Sequence, residues 1–350
     1  MKKEYLGEWL LPGGPHSDII LSSRIRLARN IKTFPFLTRS TREIQEKIRE
    51  MVREVLTENG LLKKGSFFTN EELSPLKLQF LLERHLIPLD FLGSRMHRGL
   101  YVSKDETLSI LINEEDHLRL QVLTSGLNFF PAYEKIEKLD NRLAEKLPYA
   151  FSSELGFLTA CPTNVGTGMR ASFFIHLPGL VITKEIEKIL RSLLAMGLVA
   201  RGIYGEGSET KGNLFQISNQ ITLGLTETEI LEKVTKVGEE ILNYERRAQE
   251  FLLKNLRLSV EDKIYRAYAT LKNARLLTSE ETINLLLMVR FGIVAELIKD
   301  VDLKTINTLL ILTKPANLQI YYNKEMSPKE RDEKRAELVR SFLKDRGNGR

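Results

Sequence analysis

Residues 161–172 read CPTNVGTGMRAS and hold the only cysteine of the 350-residue chain, two glycines one residue apart, and an arginine. Glycines so spaced suit a phosphate cradle, because a backbone without Cβ can approach an anion closely. From Gly166 the run GTGMRA even fits a dinucleotide fingerprint, G-x-G-x-x-A. That fingerprint needs a strand before it, a helix after it and an acid about 20 residues on. The chain instead continues as ASFFIHL at 171–177, with apolar side chains at Ala171, Phe173, Ile175 and Leu177. The period is that of a strand, so the dinucleotide reading fails on context. The purpose of the segment has to be sought among the other arginines.

Length allows two domains, and 42% hydrophobic with 28% charged residues is an ordinary globular composition able to bury a substantial core. The net charge of +6 and a pI near 9.1 favour acidic ligands such as nucleotides, though the excess is mild for this length. No basic stripe with interleaved aromatics occurs, so direct binding of nucleic acid is not expected. A single cysteine excludes an intramolecular disulfide and agrees with a reducing compartment. The first residues, MKKEYLGEW, lack an apolar signal region, and no run of about 18 apolar residues appears. A cytoplasmic protein without a membrane anchor is expected.

Periodicity orders the chain. Residues 18–26 read as a strand with Arg24 and Arg26 on one face and Ile25 on the other. Residues 40–58 form an amphipathic helix behind a Ser/Thr cap, with Ile44, Ile48, Met51, Val52 and Val55 at helical spacing. Residues 108–112 and 117–123 are strand-like, 199–219 suggest a hairpin, and 226–255 a long charged helix. Beyond residue 256 the texture changes to successive amphipathic helices, near 261–277, 279–292, 304–312 and 328–344, with Gly292 as the only glycine before Gly347. This division predicts a mixed α/β domain over 1–255 and a helical one over 256–350.

Several chemistries are excluded by what is missing. There is no GxxxxGK[ST] phosphate loop, no protein-kinase HRD or DFG set, and no metal spacing among His16, His85, His97, His117 and His176. The recurring feature is arginine beside polar turns. SSRIRLARN supplies Arg24, Arg26 and Arg29, NEEDHLRL supplies Glu114, Glu115 and Arg119, and GTGMRAS and RGIYGEG supply Arg170 and Arg201. Strand alternation would put Glu115, His117 and Arg119 on one face. Any one such arginine is accounted for by a solvated strand face. Several planar five-donor forks converging on one face would instead clamp a triphosphate and stabilise a transferring phosphoryl group.

CPTNVGTGMRAS, NEEDHLR and SSRIRLARN together resemble the signature blocks of the guanidino (phosphagen) kinases, which include arginine and creatine kinases. The resemblance spans roughly residues 18–255, in the family's order. It implies an α+β fold, an antiparallel sheet flanked by helices, and ATP with Mg²⁺ bridging its phosphates. It places the arginine clamp on Arg24, Arg26, Arg119, Arg170 and Arg201. Nucleotide contacts then extend to Ser22, Ser23, Ile25, Ala171, Ser172, Phe173, Phe174, Gly202, Ile203, Tyr204 and Gly205, and His85 in ERHLIP lies near the adenine. Glu115 and Glu206 match the two carboxylates that orient the substrate guanidinium, and Cys161 matches the cysteine beside it. The chemistry agrees: a guanidinium, with a pKa above about 12, is a poor nucleophile until a carboxylate aligns it and withdraws a proton.

The departures sharpen the expectation. Phosphagen kinases carry a helical domain before the first arginine block, and here that block begins at Ser22. An open acceptor side suits a large substrate. With the extra helical region, the chain resembles the bacterial protein-arginine kinases, which mark proteins for a Clp protease. RDEKRA at 331–336 is similar to that subfamily's phosphoarginine-reading motif, which implies a regulatory site at Arg331, Asp332 and Arg335. A solvated helix face accounts for the same residues. The implied partners are protein substrates with exposed arginines, such as a basic transcriptional repressor, together with an activator protein, a Clp unfoldase and further copies of the chain. A kinase for free arginine and a non-catalytic phosphoarginine-binding module are the alternatives.

Overall fold

The computed structural model describes residues 7–93, 97–202 and 213–344. Strand β1 (Ile20–Arg29) is followed by α1 (Arg42–Glu58), β2 (Gly65–Thr69) and α2 (Pro75–Glu83). Three strands come next, β3 (Gly99–Ser103), β4 (Leu108–Ile112) and β5 (Leu118–Ser125), then α3 (Phe129–Ala144) and the small hairpin β6 (Phe151–Ser152) and β7 (Gly156–Phe157). Strand β8 (Met169–His176) leads into α4 (Pro178–Ile182), α5 (Ile186–Ala195), β9 (Leu198–Arg201) and β10 (Leu214–Asn219). The rest is helical: α6 (Glu227–Asn255), α7 (Arg257–Asn273), α8 (Ser279–Val294), α9 (Leu303–Leu312), α10 (Pro315–Tyr322) and α11 (Pro328–Leu343).

Eight strands form one antiparallel sheet in the order β2-β3-β4-β5-β1-β8-β10-β9. Because neighbouring residues of a strand face opposite ways, each central strand carries two messages. Ile25 and Leu27 of β1, Leu118, Leu120 and Val122 of β5, and Ala171, Phe173 and Ile175 of β8 share one face. That face is covered by α1 through Ile48 and Val52, by α3 through Ala132 and Ile136, and by α6 through Val234 and Ile241. The helices start where capping chemistry dictates: Thr41 accepts from Ile44 N, and Thr226 with Glu229 forms a capping box.

The opposite face is divided. Leu100, Val102, Leu111 and Leu123 pack with Trp9, with α2 and with Ile311 and Ala316. Leu21, Phe174 and Leu214 pack with α7, α8 and α9. The helices beyond residue 256 are therefore built onto the sheet, not appended to it. Buried polar ties cross the junction as well: Arg290 Nη2 donates to Ser17 O at 2.8 Å and Asn307 Nδ2 to Leu10 O at 3.0 Å. Between these two apolar regions the second face stays open and carries the arginines.

The elements expected from periodicity form near their expected bounds, with α1 starting at Arg42 and α7 starting at Arg257 rather than at 261. Helices α2, α3, α5 and α10 and strands β2 and β3 had no sequence expectation. The face shared by Glu115, His117 and Arg119 is corrected. Glu115 lies in the turn before β5, and His117 turns inward, where Nδ1 accepts from Ile31 N at 3.0 Å and Nε2 reaches Pro35 O at 3.0 Å.

Burial holds the His117 imidazole below the usual histidine range. A base whose pKa is lower folded than unfolded contributes stability above its unfolded value, and that stability is lost as pH falls. Between pH 7.5 and 5.5 the urea midpoint of the parent should therefore fall further than that of His117→Ala. At pH 7.5 the variant should be destabilised by about 1–3 kcal/mol, since Ile31 N–H loses its acceptor in a buried place. Parallel losses with pH in both proteins would refute the assignment.

Candidate active site

The open part of the second sheet face is the floor of a cleft of about 550 Å³. Arg24 and Arg26 rise from β1, Arg119 from β5, Arg170 from β8 and Arg201 from the end of β9, and all five line it. Register explains their closeness. Arg26 pairs directly with Arg170 across β1 and β8, Arg24 with Ser172, and Ala28 with Arg119 across β1 and β5. Cross-strand neighbours stand only about 4.5–5.5 Å apart at Cβ, so like charges here repel.

The ionisation of the arginines reports that repulsion. Burial first, then Arg119 and Arg170, lowers Arg24 to about 10. Burial together with Arg24, Arg119 and Arg170 pushes Arg26 well down, and burial with Arg201 and Arg119 lowers Arg170. Arg170 Nε is buried and meets no acceptor among the described residues. Arg24 is held by Ser172 Oγ at 3.4 Å and lies 5.9 Å from the Phe174 ring. A cluster of buried and half-buried cations with few counter-charges is a site prepared for a polyanion.

The carboxylates sit at one side. Arg119 spans Glu114 at 2.7 Å and Glu115 at 2.8 Å, with Glu114 buried and Glu115 at the cleft surface. Burial raises the Glu115 carboxyl, and Asp116 and Glu114 add to the rise against the opposing pull of Arg119. A carboxylate raised in this way, beside a phosphate clamp, is suited to take a proton. Asp116, fully buried, accepts from Asn30 Nδ2 and from Ala160 N, both at 2.6 Å. It thereby ties the Glu115 turn to the segment that carries Cys161. Cys161 lines the cleft, its Sγ 3.0 Å from Thr163 Oγ1.

Both glycines of the 161–172 segment take positive φ, 110° at Gly166 and 64° at Gly168. A Cβ on Gly166 would lie 2.5 Å from Thr222 O, and one on Gly168 2.7 Å from Ala28 O. The loop passes that close to β1 because Arg29 pulls it in. Arg29 pairs with Asp140 at 2.7 Å, donates to Thr167 O at 3.0 Å and lies 3.5 Å from the centre of the Phe157 ring. Arg29 is a buried scaffold residue, not a member of the clamp.

Other expected positions separate. Ser22, Phe174 and His85 line a small apolar cavity of about 40 Å³, and His85 lines the cleft too. Ile25, Ala171 and Phe173 point into the helix-covered core, and Ser23 Oγ donates to Gly126 O at 2.8 Å. Strand alternation thus turns these four side chains away from the cleft. Gly202 follows β9, while Ile203, Tyr204, Gly205 and Glu206 lie outside the described residues. Gln216, Ser218 and Gln220 line the cleft without having been anticipated. The alternation in LFQISN, apolar at Phe215 and Ile217, was their signal.

In RDEKRA the two arginines do not stand side by side at the surface. Arg335 is 1% exposed, and donates to Thr313 O at 2.7 Å, Leu277 O at 2.6 Å and Asp332 Oδ1 at 2.6 Å. Arg331 lines a shallow open depression with Met326 and Gln319, and its Nη1 donates to Met326 O at 2.8 Å. Spacing of four gives a shared direction but not a shared depth.

Residues 44–248 match the ATP:guanido phosphotransferase C-terminal catalytic domain, and residues 257–349 match the protein-arginine kinase McsB C-terminal domain. A protein-arginine kinase of Halothermothrix orenii is 44% identical over 338 residues, covering 97% of each chain. One of Bacillus cereus is 43% identical over 342 residues, covering 97% of this chain and 96% of its own. Among solved structures, a lombricine kinase superposes with a TM-score of 0.60 at 25% identity, over 68% of this chain and 69% of that one. The duplicated taurocyamine kinase of Schistosoma mansoni, with bound transition-state analogue components, gives 0.60 at 26% identity over 67% of this chain and 34% of that one. With the arginine-floored cleft, these matches identify the chain as a phosphotransferase of the ATP:guanido phosphotransferase family, in its protein-arginine kinase branch.

Proposed function

We propose that the protein transfers the γ-phosphoryl group of ATP to arginine side chains of other proteins, with the five-arginine floor as the nucleotide clamp. The observation that carries this is the packing of Arg24, Arg26, Arg119 and Arg170 so tightly that burial and mutual repulsion depress Arg24, Arg26 and Arg170. A triphosphate would relieve that repulsion and raise these depressed pKa values again. Mg²⁺ would arrive as part of the nucleotide, held by phosphate oxygens. Among the described residues no three potential ligands converge on a metal position, and Mg²⁺ is ordinarily bound through phosphates and one or two carboxylates.

In the reaction a guanidinium nitrogen of the substrate attacks the γ-phosphorus, the bond from phosphorus to the β,γ-bridging oxygen breaks, and ADP leaves. The guanidinium proton passes to Glu115, whose raised pKa suits an acceptor. The arginine forks spread the charge that builds on the equatorial oxygens and the leaving oxygen. Cys161, at the same side of the cleft as Glu115, would face the substrate guanidinium, and Glu206 would supply a second carboxylate.

The same reading assigns RDEKRA to phosphoarginine. Arg331 at the surface would take the phosphate and Asp332 the guanidinium, with Arg335 holding Asp332 from beneath at 2.6 Å. From the family resemblance we also infer a cytoplasmic setting, assembly with further copies, and delivery of the marked proteins to a Clp protease under stress. No helix among the described residues is long and apolar enough to cross a membrane.

Mass spectrometry of an arginine-rich protein incubated with the enzyme and ATP should find phosphoarginine, with free arginine turned over poorly; the reverse preference would overturn the protein-substrate reading. Glu115→Gln should keep nucleotide affinity and lose turnover by roughly 10²-fold or more, and near-normal turnover would remove Glu115 from the chemistry. Arg170→Lys should be severely impaired in nucleotide affinity and rate, because a point charge cannot replace a planar fork. Parity with the parent would exclude phosphate contact by Arg170. Calorimetry with phosphoarginine on the full chain should show binding that Arg331→Ala abolishes at an unchanged thermal midpoint. Equal binding by parent and variant would dispose of the second site.

A further inference from the structure

Helix α2 runs into Glu83, Arg84 and His85, and the first two of these turn away from the cleft into the C-terminal helices. Glu83 is 1% exposed. Its carboxylate accepts from Ala316 N at 3.0 and 3.1 Å, from Asn317 N at 2.9 Å and from Asn317 Nδ2 at 2.9 Å. The two backbone N–H groups among these are orphan donors of the first turn of α10, where a negative charge is best placed. Lys314 Nζ donates to the Glu83 carbonyl at 2.9 Å, and Arg84 joins Asn317 Oδ1 at 2.8 Å to the Glu106 carboxylate at 2.7 Å. Residues of the helical region and of the catalytic region thus meet in one buried, mutually satisfied cluster.

His85 is the next residue, and it is held in an unusual state. Its backbone has φ 58°, a left-handed conformation that a side chain bearing Cβ adopts only where its surroundings over-determine it. Its carbonyl accepts from Gln121 Nε2 at 2.8 Å on β5, and its ring lies 5.1 Å from Phe174 and 5.9 Å from Trp9. One side of the ring lines the arginine cleft. The other lines the small cavity that Ile283, Leu310 and Lys314 of the helical region help to close.

We propose that Glu83 is a positioning residue for the nucleotide cleft: by capping α10 it ties His85 to the C-terminal helices, so those helices set nucleotide affinity. The inference rests on the reading of the cleft as the nucleotide site. Without the Glu83 cap the left-handed turn at His85 relaxes, and the cleft wall beside Arg24 loses its fixed position. Glu83→Gln removes the negative charge and sets an amide donor against the Ala316 N–H, weakening the cap while conserving shape. Asn317→Ala keeps the backbone donors of the cap but removes the side-chain bonds from Asn317 to Glu83 and to Arg84, at a residue that does not line the cleft.

The test is titration of the full-length parent, both single variants and the double variant with MgADP by calorimetry, with steady-state kinetics and thermal midpoints alongside. Each single variant should bind MgADP roughly 5- to 50-fold more weakly, a usual range for coupling between sites. KM for ATP should rise with it, while kcat at saturating ATP stays near the parent's. The double variant should fall short of the sum of the single effects, because Glu83 and Asn317 share a side-chain hydrogen bond. Unchanged MgADP affinity in Glu83→Gln, with only a lowered thermal midpoint, would reduce the cluster to scaffolding and overturn the proposal. A parent that fails to bind MgADP would overturn the nucleotide reading itself, and this inference with it.

Discussion

The repulsion among the arginines of the sheet is the constraint around which the rest is arranged. Arg26 faces Arg170 in direct register, and Arg24 and Arg119 stand one step away on the same surface. Left to themselves, such residues would separate into solvent. They are held because the reverse faces of the same strands are committed to an apolar core. Ile25, Ala171 and Phe173 are fully buried, and burial of each large side chain of this kind is worth about 1.5–3 kcal/mol. A slip by one residue would bring the arginines into that core. The core therefore fixes the register, and the register forces the cations together. Function is stored here as unrelieved charge, which a phosphate chain can discharge.

The second face of the sheet shows the same economy on a larger scale. A sheet with helices on one side only leaves its other side to water, yet here both ends of that side are apolar and covered. Trp9, α2 and the α9–α10 region cover one end, and α7, α8 and α9 cover the other. The middle strip is polar and open. The cleft is thus the uncovered remainder of a face whose two ends are sealed, and this gives it walls. One wall contains His85, whose ring packs by Trp9 and Phe174 and borders a small cavity that the helical region helps to close.

Alternation and helical period made much of this legible: β1, β4, β5, β8, α1 and α6 each carry a pattern that only one packing satisfies. Helix α2, PLKLQFLLE, was not legible because Phe80, Leu81 and Leu82 are all buried, so no polar stripe marks its period. Helix α10, PANLQIYY, is hidden for the same reason, its first residues enclosed by Glu83 and Lys314. The five arginines that line the cleft were named through the resemblance of their sequence blocks to those of the guanidino kinases. The glycine conformations and the role of Arg29 depend on a loop approaching from 138 residues away, between Arg29 and Thr167. Spacing in RDEKRA gave direction but could not give depth, since Thr313 and Leu277 bury Arg335 from outside its own helix.

Arg119 joins the two halves of the proposed chemistry. Its fork is shared between buried Glu114 and cleft-facing Glu115, so a residue of the proposed phosphate clamp is ion-paired with the proposed proton acceptor. When phosphate draws positive charge toward the floor of the cleft, the pull of Arg119 on Glu115 weakens, and the carboxylate becomes more basic. Nucleotide binding would in this way prepare the base. Glu114 limits the movement, because an ion pair at 2.7 Å with a buried carboxylate anchors one end of the fork. The two adjacent glutamates divide the work: one holds the arginine still, and the other is tuned by it.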